Sequence, residues 1–149
     1  IIFEKKSSRR AGEGLSDGEY PFFTSSPIQS KRIDEADYGG EYLIFGTGGS
    51  ASLHYYNGKF STSADCFVIK SLKMRLKYIY YHLLRNFEVL EKGFVGGALK
   101  HLSKRYLQNI DIGTPSLTEQ ERIISVLDQE TNTNEDLKNH LIKTFNLKK

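Results

Sequence analysis

Between residues 41 and 70 the chain is dominated by strand formers, and no other stretch limits the fold as much. Glu41-Tyr-Leu-Ile-Phe45 is a strongly apolar run, and Phe67-Val68-Ile69 is a second. Short apolar runs rich in β-branched and aromatic residues argue for buried strands. Gly46–Ala51 (GTGGSA) reads as the turn or loop that follows the first run. Beyond it, aromatic and β-branched residues flank Asn57-Gly58 on both sides. Asn-Gly favours the tight turn of a hairpin, so a hairpin turning at Asn57-Gly58 is expected.

The flanks carry weaker signals of the same kind. Residues 5–18 are polar and contain glycine, which predicts a loop. Glu19–Ser26 (EYPFFTSS) predicts a short strand that Pro21 confines to an edge or a strand start. Residues 27–41 predict another loop. Ser71 is a suitable cap for a helix from about Leu72 to Lys92, because Leu76, Ile79, Leu83, Phe87 and Leu90 recur at intervals of three and four. Gly93 ends it, and a glycine-hinged basic segment comes next. Tyr106–Ile112 (YLQNIDI) alternates and predicts a strand, after which Pro115 closes the globular part.

Thr118-Glu-Gln-Glu121 has the form of a capping box, which predicts a long helix. Ile123, Leu127, Asn134, Leu137 and Leu141 then fall on a heptad seam, with the polar Glu130 and Thr144 also on it. The expected organisation is a domain over 1–115 and a helix over 116–149.

The 149 residues are 38% hydrophobic and 26% charged, the composition of a folded domain rather than a disordered chain. No apolar run reaches the roughly 18 residues of a membrane-spanning helix. One cysteine rules out an internal disulfide, and with four scattered histidines it offers no metal-ligand set. A reducing cytoplasm is the expected compartment. The net charge of +3 is unevenly spread: residues 33–58 carry four acids and no Lys or Arg, whereas 59–105 carry ten bases and three acids. A basic stretch of that size suits either a phosphate-binding face or a solvated helix surface.

Several constellations are candidates for chemistry. Gly46–Ala51 fits G-x-G-x-x-A after a strand, with Asp65 further on, as a dinucleotide or S-adenosylmethionine site would require. The residues after Ala51, however, are rich in strand formers, so a β–β loop is the alternative; its bare amides still suit phosphate contacts. The segment Gly96-Gly97-Ala-Leu-Lys100-His101-Leu-Ser103-Lys104-Arg105 combines close backbone approach with cations and a hydroxyl. Of Tyr55 and Tyr56, alternation predicts that one faces outward. Cys66 reads as a buried thiol rather than a nucleophile, and Ser61, Ser63 and Asp65 offer a triad by composition only.

Three blocks together resemble the specificity (S) subunit of type I restriction–modification systems. They are GEYPFFTSS, EYLIFGTGGSASLHYYNGKFSTSADCFVI, and GGALKHLSKRYLQNIDIGTPSLTEQERIISVLD, spanning residues 18 to about 128. The most specific part is Pro115-Ser-Leu-Thr-Glu119-Gln120-Glu-Arg-Ile123, which looks like the family's start of a spacer helix.

The resemblance implies an α+β fold: a target recognition domain of mixed β-strands with a few helices, followed by a long C-terminal coiled-coil helix. It implies sequence-specific recognition of double-stranded DNA without catalysis, positioning methyltransferase and endonuclease subunits on a bipartite site. No cofactor is implied for this chain; the methyl donor and ATP belong to the partner subunits. The expected DNA-binding residues are Thr24, Ser25, Ser26, Lys31, Arg32, Thr47, Gly48, Gly49, Ser50, Ser52, His54, Tyr55, Lys59, Gly97, Lys100, His101, Ser103 and Lys104, and with that function Gln29, Lys31, Arg32 and His54 are the candidates for base edges. Ile123, Leu127, Asn134, Leu137 and Leu141 are the expected partner-helix residues. Family members usually carry two recognition domains and two helices, and here there is one of each. The chain is therefore either a half-subunit that forms a homodimer or part of a longer two-domain protein. An enzyme that binds a nucleotide or S-adenosylmethionine through Gly46–Ala51 stands as the alternative.

Overall fold

The structure, a computed structural model, describes residues 1–96 and 100–145, with 132–145 given as helix backbone only. In chain order the strands and helices are β1 (Ile2–Phe3), β2 (Tyr20–Phe23), β3 (Lys31–Ile33), β4 (Tyr38–Gly46), β5 (Leu53–Thr62), β6 (Cys66–Lys70), α1 (Leu76–Arg85), α2 (Phe87–Glu91), β7 (Phe94–Val95), β8 (His101–Leu102), α3 (Lys104–Gln108) and α4 (Leu117–Phe145). The main sheet has the order β1-β6-β4-β5-β2-β3, and β7 and β8 form a separate pair. The class is α+β, as expected.

The sheet cannot be flat. β4 pairs antiparallel with β5 from Phe45↔Leu53 to Tyr38↔Phe60, and with β6 so that Gly46 faces Cys66. Drawn flat, β4 alone puts about 26 Å between Tyr38 and Gly46. Yet only Ser63, Ala64 and Asp65 join the Thr62 end of β5 to Cys66, a reach of at most about 14 Å. The β4–β5 ribbon therefore curls until its two ends meet. β2 lies parallel to the end of β5, with Phe22 opposite Ser61 and Phe23 opposite Thr62, and the Ser63 amide donates to the Phe23 carbonyl at 2.9 Å.

Gly40 and Gly58 face each other across the curled ribbon with φ of 126° and 152°. The ring of Tyr56 lies close over Gly58, where an added Cβ would come 3.0 Å from the ring. The Asn57-Gly58 pair thus sits inside one continuous strand, and the expected hairpin turn there is not formed. The turn is made by residues 47–52 instead. The Asn-Gly preference is local, and the longer apolar pairing of Leu43 and Ile44 against Tyr55 and His54 overrides it.

Alternation along β4 divides the core. Leu43 and Phe45 join Leu53, Phe67 and Ile69 on the face covered by α1, α2 and α3. Ile44 points into the curl with Phe23, Phe60, Cys66 and Val68, rimmed by Tyr38, Tyr42 and Tyr56. Both tyrosines of the Tyr55-Tyr56 pair are half-buried: Tyr56 is inside the curl, and Tyr55 packs against Tyr80 of α1.

Other expectations need correction. Pro21 does not mark an edge, because β2 lies between β5 and β3; it stands at the start of the strand, the other expected place, and the ladder with β5 begins only at Phe22. Residues 27–41 contain β3 and the start of β4 rather than loop alone. The apolar stripe of Leu76, Ile79, Leu83 and Leu90 is buried as expected, but the helix is split. Ser71 caps a turn, accepting from the Lys73 and Met74 amides, and α1 starts only at Leu76. Asn86 then bonds the His82 carbonyl through its own side chain and separates α1 from α2. Tyr106–Ile112 is not a strand. Ser103 Oγ accepts the Tyr106 amide and starts α3, and Ile110 and Ile112 pack on the core without pairing. The cap of α4 is Ser116, which accepts the Glu119 amide at 3.1 Å, so the capping position lies two residues before Thr118.

Candidate functional site

Where the curled ribbon closes, three separate pieces of chain are tied together through their backbones. The Thr47 carbonyl accepts the Leu102 amide at 2.8 Å, the Gly49 amide donates to the Lys100 carbonyl at 3.3 Å, and Gly48 bridges to His101. On the other side, Ser25 exchanges two hydrogen bonds with Gly48. His54, on β5, bonds the Ser26 carbonyl through Nε2 at 2.8 Å and packs its ring 5.2 Å from Phe23. Thr24 to Ser26, the 47–52 loop and Lys100–His101 thus form one surface. Gly48, Gly49, Ser50, Lys100 and His101 are on it, with Thr24, Ser25, Ser26 and His54 half-buried at its edge.

Two of the expected site residues lie beneath this surface. Ser52 is 1% exposed and its hydroxyl has no partner among the described residues. Thr47 is buried too, and both its amide and its hydroxyl donate to the Asp65 carbonyl. Gly46 permits this packing, since a Cβ there would stand 2.6 Å from Ser25 Oγ and 2.8 Å from Ser25 Cα. The loop joins β4 to β5, and no helix follows it, so the geometry that holds a pyrophosphate at a helix N-terminus is missing.

The remaining expected residues are not gathered here. Lys31 Nζ donates to the Ala11 carbonyl, and Arg32 donates to the Gly18 and Glu19 carbonyls, so both brace the 11–19 loop. Gln29 likewise donates to the Phe22 and Lys31 carbonyls. Lys59 is opposite Gly39, at the far end of the ribbon. Tyr55 donates to Glu41 and has Lys77 over its ring at 5.4 Å; burial and the Glu41 carboxylate push its hydroxyl pKa up. Ser103 caps α3, and Lys104 holds its ammonium 5.2 Å over the Phe3 ring. Gly97 and the side chains of Asn134, Leu137 and Leu141 lie outside the described residues. Cys66 is fully buried, and burial pushes its thiol up to about 12, which keeps it protonated and inert.

Two exposed apolar residues next to this surface were missed from the sequence: Ile28 is 76% and Val95 66% exposed. Isolated apolar residues in loop sequence carry no periodic signal, so nothing marked them in advance.

The charge distribution also differs from what composition suggests. Lys70, Arg75, Lys77 and Arg85 are paired with Glu4, Glu121, Asp128 and Glu130. Acids of α4 therefore pair with three of the ten bases in this stretch. Within 59–105, Lys59, Lys73, Lys92, Lys100, Lys104 and Arg105 have no acidic partner among the described residues, and only Lys100 belongs to the closed end of the ribbon.

α4 is docked on α1 through its first turns. Gln120 is 2% exposed; its Oε1 accepts the Arg75 amide at 2.8 Å and its Nε2 donates to the Pro115 carbonyl at 3.0 Å. Ile124 and Leu127 are buried, and Asp128 accepts from both Tyr81 and Lys77. Leu127 is therefore covered by its own chain, whereas Ile123 is half-buried along a groove with Tyr78, His82 and Arg85. No helix among the described residues is long and apolar enough to cross a membrane.

The chain resembles known proteins in both sequence and fold. It is 27% identical over 113 residues to the type I restriction enzyme EcoDI specificity subunit of Escherichia coli, covering 76% of this chain and 25% of that protein. It is 30% identical over 114 residues to the type I restriction enzyme MpnII specificity subunit of Mycoplasma pneumoniae, covering 74% of this chain and 34% of that one. The chain thus spans a quarter to a third of the length of these relatives. Its fold matches the crystal structure of the type I restriction–modification S subunit from M. genitalium with a TM-score of 0.73 at 22% identity, over 92% of this chain and 38% of that one. The family model for the type I restriction modification DNA specificity domain matches residues 2–146, and the chain belongs to that family.

Proposed function

We propose that this chain is a non-catalytic reader of double-stranded DNA, one recognition domain of a type I specificity subunit or half-subunit. Residues 1–115 read one half of a bipartite site, and 116–149 form the spacer helix that sets the distance to a second recognition domain. Methyltransferase and endonuclease subunits are the protein partners, positioned on that site. The spacer pairs as a coiled coil with a sister helix, from a second copy or from another part of a longer chain. Because Leu127 is already buried against α1, that pairing relies on Asn134, Leu137 and Leu141.

The observation that carries the proposal is the convergence of Ser25–Ser26, Gly48–Ser50 and Lys100–His101 on one exposed surface at the closed end of the ribbon. A glycine loop without bulky side chains, the Ser26 and Ser50 hydroxyls, and a lysine without an acidic partner among the described residues suit phosphate and base-edge contacts. An exposed loop braced from beneath by Thr47 and Ser25 is preorganised for them, and the cytoplasm is the compartment where such a subunit meets its DNA. Selection of duplexes from a random pool by the protein with its methyltransferase partner tests the proposal. A recovered motif with two parts at fixed spacing supports it; retention of no duplex above background overturns it.

A further inference from the structure

Burial of apolar area is non-directional, and the packing of side-chain ridges into grooves sets the crossing angle of a docked helix only to within about 15–20°. Ile124 and Leu127 hold α4 against α1, but they leave it free to rock about them. Direction comes from hydrogen bonds, which demand alignment. α4 makes such bonds at two separated places. In its first turn Gln120 takes the Arg75 amide and returns a bond to Pro115. Two turns later Asp128 takes the Tyr81 hydroxyl and, at 3.0 Å, the Lys77 ammonium. The two anchors are eight residues and about 12 Å apart along the helix, enough to define its axis. The other ion pairs across this contact, Arg75–Glu121 and Arg85–Glu130 at 3.7 Å, are exposed and weaker.

We propose that the Lys77–Asp128–Tyr81 node is a positioning device: it sets the direction in which α4 leaves the recognition domain, and so the gap between the two half-sites. The proposal rests on the DNA-reading function above. Lever arithmetic gives it weight. With Gln120 as the pivot, a tilt of about 10° moves the far end of α4 by about 6 Å, close to two base-pair steps. A helix of unchanged length thus measures a different gap when its root is tilted. Asp128 stays ionised at neutral pH because the Tyr81 and Lys77 bonds together outweigh the effect of its burial, so the node is closed under working conditions.

Two measurements on the full chain test this. In the first, spin labels at Lys59→Cys and at the exposed Gln129→Cys report the angle between sheet and helix; buried Cys66 does not label. The parent protein is expected to show one narrow distance. Asp128→Ala broadens it, as does Lys77→Met with Tyr81→Phe, which removes the node and leaves α4 unaltered. Glu119→Gln, a charge change on α4 away from α1, keeps it narrow. In the second, the unlabelled proteins with the methyltransferase partner select from pools of varied gap. The parent prefers its own gap by about tenfold over a gap one base pair longer, and both node variants lose most of that preference while keeping the half-site sequence. A narrow distance in both node variants overturns the proposal, and so does an unchanged gap preference. Failure of the DNA-reading function itself is recognised separately, because then the parent protein selects no duplex.

Discussion

Ser25 and Gly48 are joined twice: the Gly48 amide donates to Ser25 Oγ at 3.1 Å, and the same hydroxyl donates to the Gly48 carbonyl at 2.7 Å. One side chain thus holds both polar groups of a glycine that has no side chain of its own to hold it in place. Ser25→Ala removes both bonds from a half-buried site, at an expected loss of about 1–2 kcal/mol. Hydrogen exchange at the Gly48 and Gly49 amides should accelerate by more than the drop in global stability explains. Equal acceleration throughout the molecule would show that Ser25 is not a local brace.

Gly46 and Ser52 make opposite predictions within the same packing. A Cβ on Gly46 meets Ser52 Oγ and Ser25 Oγ, and also the Ser25 backbone at 2.8 Å, which cannot rotate away. Gly46→Ala is therefore expected to destabilise by about 1–3 kcal/mol through overpacking. Ser52→Ala removes a buried hydroxyl without a partner among the described residues, so it should be neutral or stabilise by up to about 1 kcal/mol. Because the Ser25 backbone remains, Ser52→Ala should not rescue Gly46→Ala. Denaturant midpoints of the two single variants and the double variant decide the matter.

Gln120 predicts a larger loss than its polarity suggests. Gln120→Leu keeps the volume but leaves the Arg75 amide without an acceptor at the root of α1, at about 1–3 kcal/mol. In mildly acid buffer, where the buried carboxyl is protonated, Gln120→Glu keeps an acceptor for the Arg75 amide and an O–H for Pro115, so it should fall between the parent and Gln120→Leu in thermal melts. The reverse order would remove Gln120 from this role.

These cases show what the residues disclose about the fold and what they do not. β4, β6 and the α1 stripe are legible because apolar pattern and burial coincide: Ile44, Val68 and Ile79 are buried where their runs predict. β3 is hidden because a three-residue strand of Lys31, Arg32 and Ile33 has the composition of a loop. Tyr106–Ile112 misleads because its alternation is real, yet the Ser103 cap at its start commits the chain to α3. The curl of β4 and β5 depends on a connection of three residues between distant register positions, which no local window contains. For the site, the glycine loop and Lys100–His101 were legible as separate motifs, but their backbone pairing was not. Ser52 and Thr47, whose hydroxyls suit a surface, are buried because the loop folds over them.

Asp37 links stability to pH. Arg9 bonds it with Nε at 2.6 Å, and that bond lowers the carboxyl pKa although burial opposes it. A carboxylate whose folded pKa is depressed stabilises above its unfolded value, and that stability is lost as pH falls through the folded pKa. Asp37→Asn should therefore lower the melting temperature at neutral pH. The difference from the parent should shrink steadily below about pH 4. A difference that persists undiminished in acid would mean that the asparagine acts through packing rather than through lost charge.

Lys100 and Lys104 test which cations face the duplex. Each phosphate neutralised contributes about 0.9 to the slope of log affinity against log salt. Lys100 lies in the segment tied to the glycine loop and has no acidic partner among the described residues. Lys104 is exposed too, but its ammonium is already over the Phe3 ring. Lys100→Ala is thus expected to weaken binding to all duplexes alike and flatten the slope by about 1, whereas Lys104→Ala changes it by less. Salt titrations of affinity for one selected and one scrambled duplex separate these outcomes. Unchanged slopes in the double variant would remove both lysines from the phosphate-binding role. A loss confined to the selected duplex would instead place Lys100 on a base edge, since phosphate contacts carry no sequence information directly.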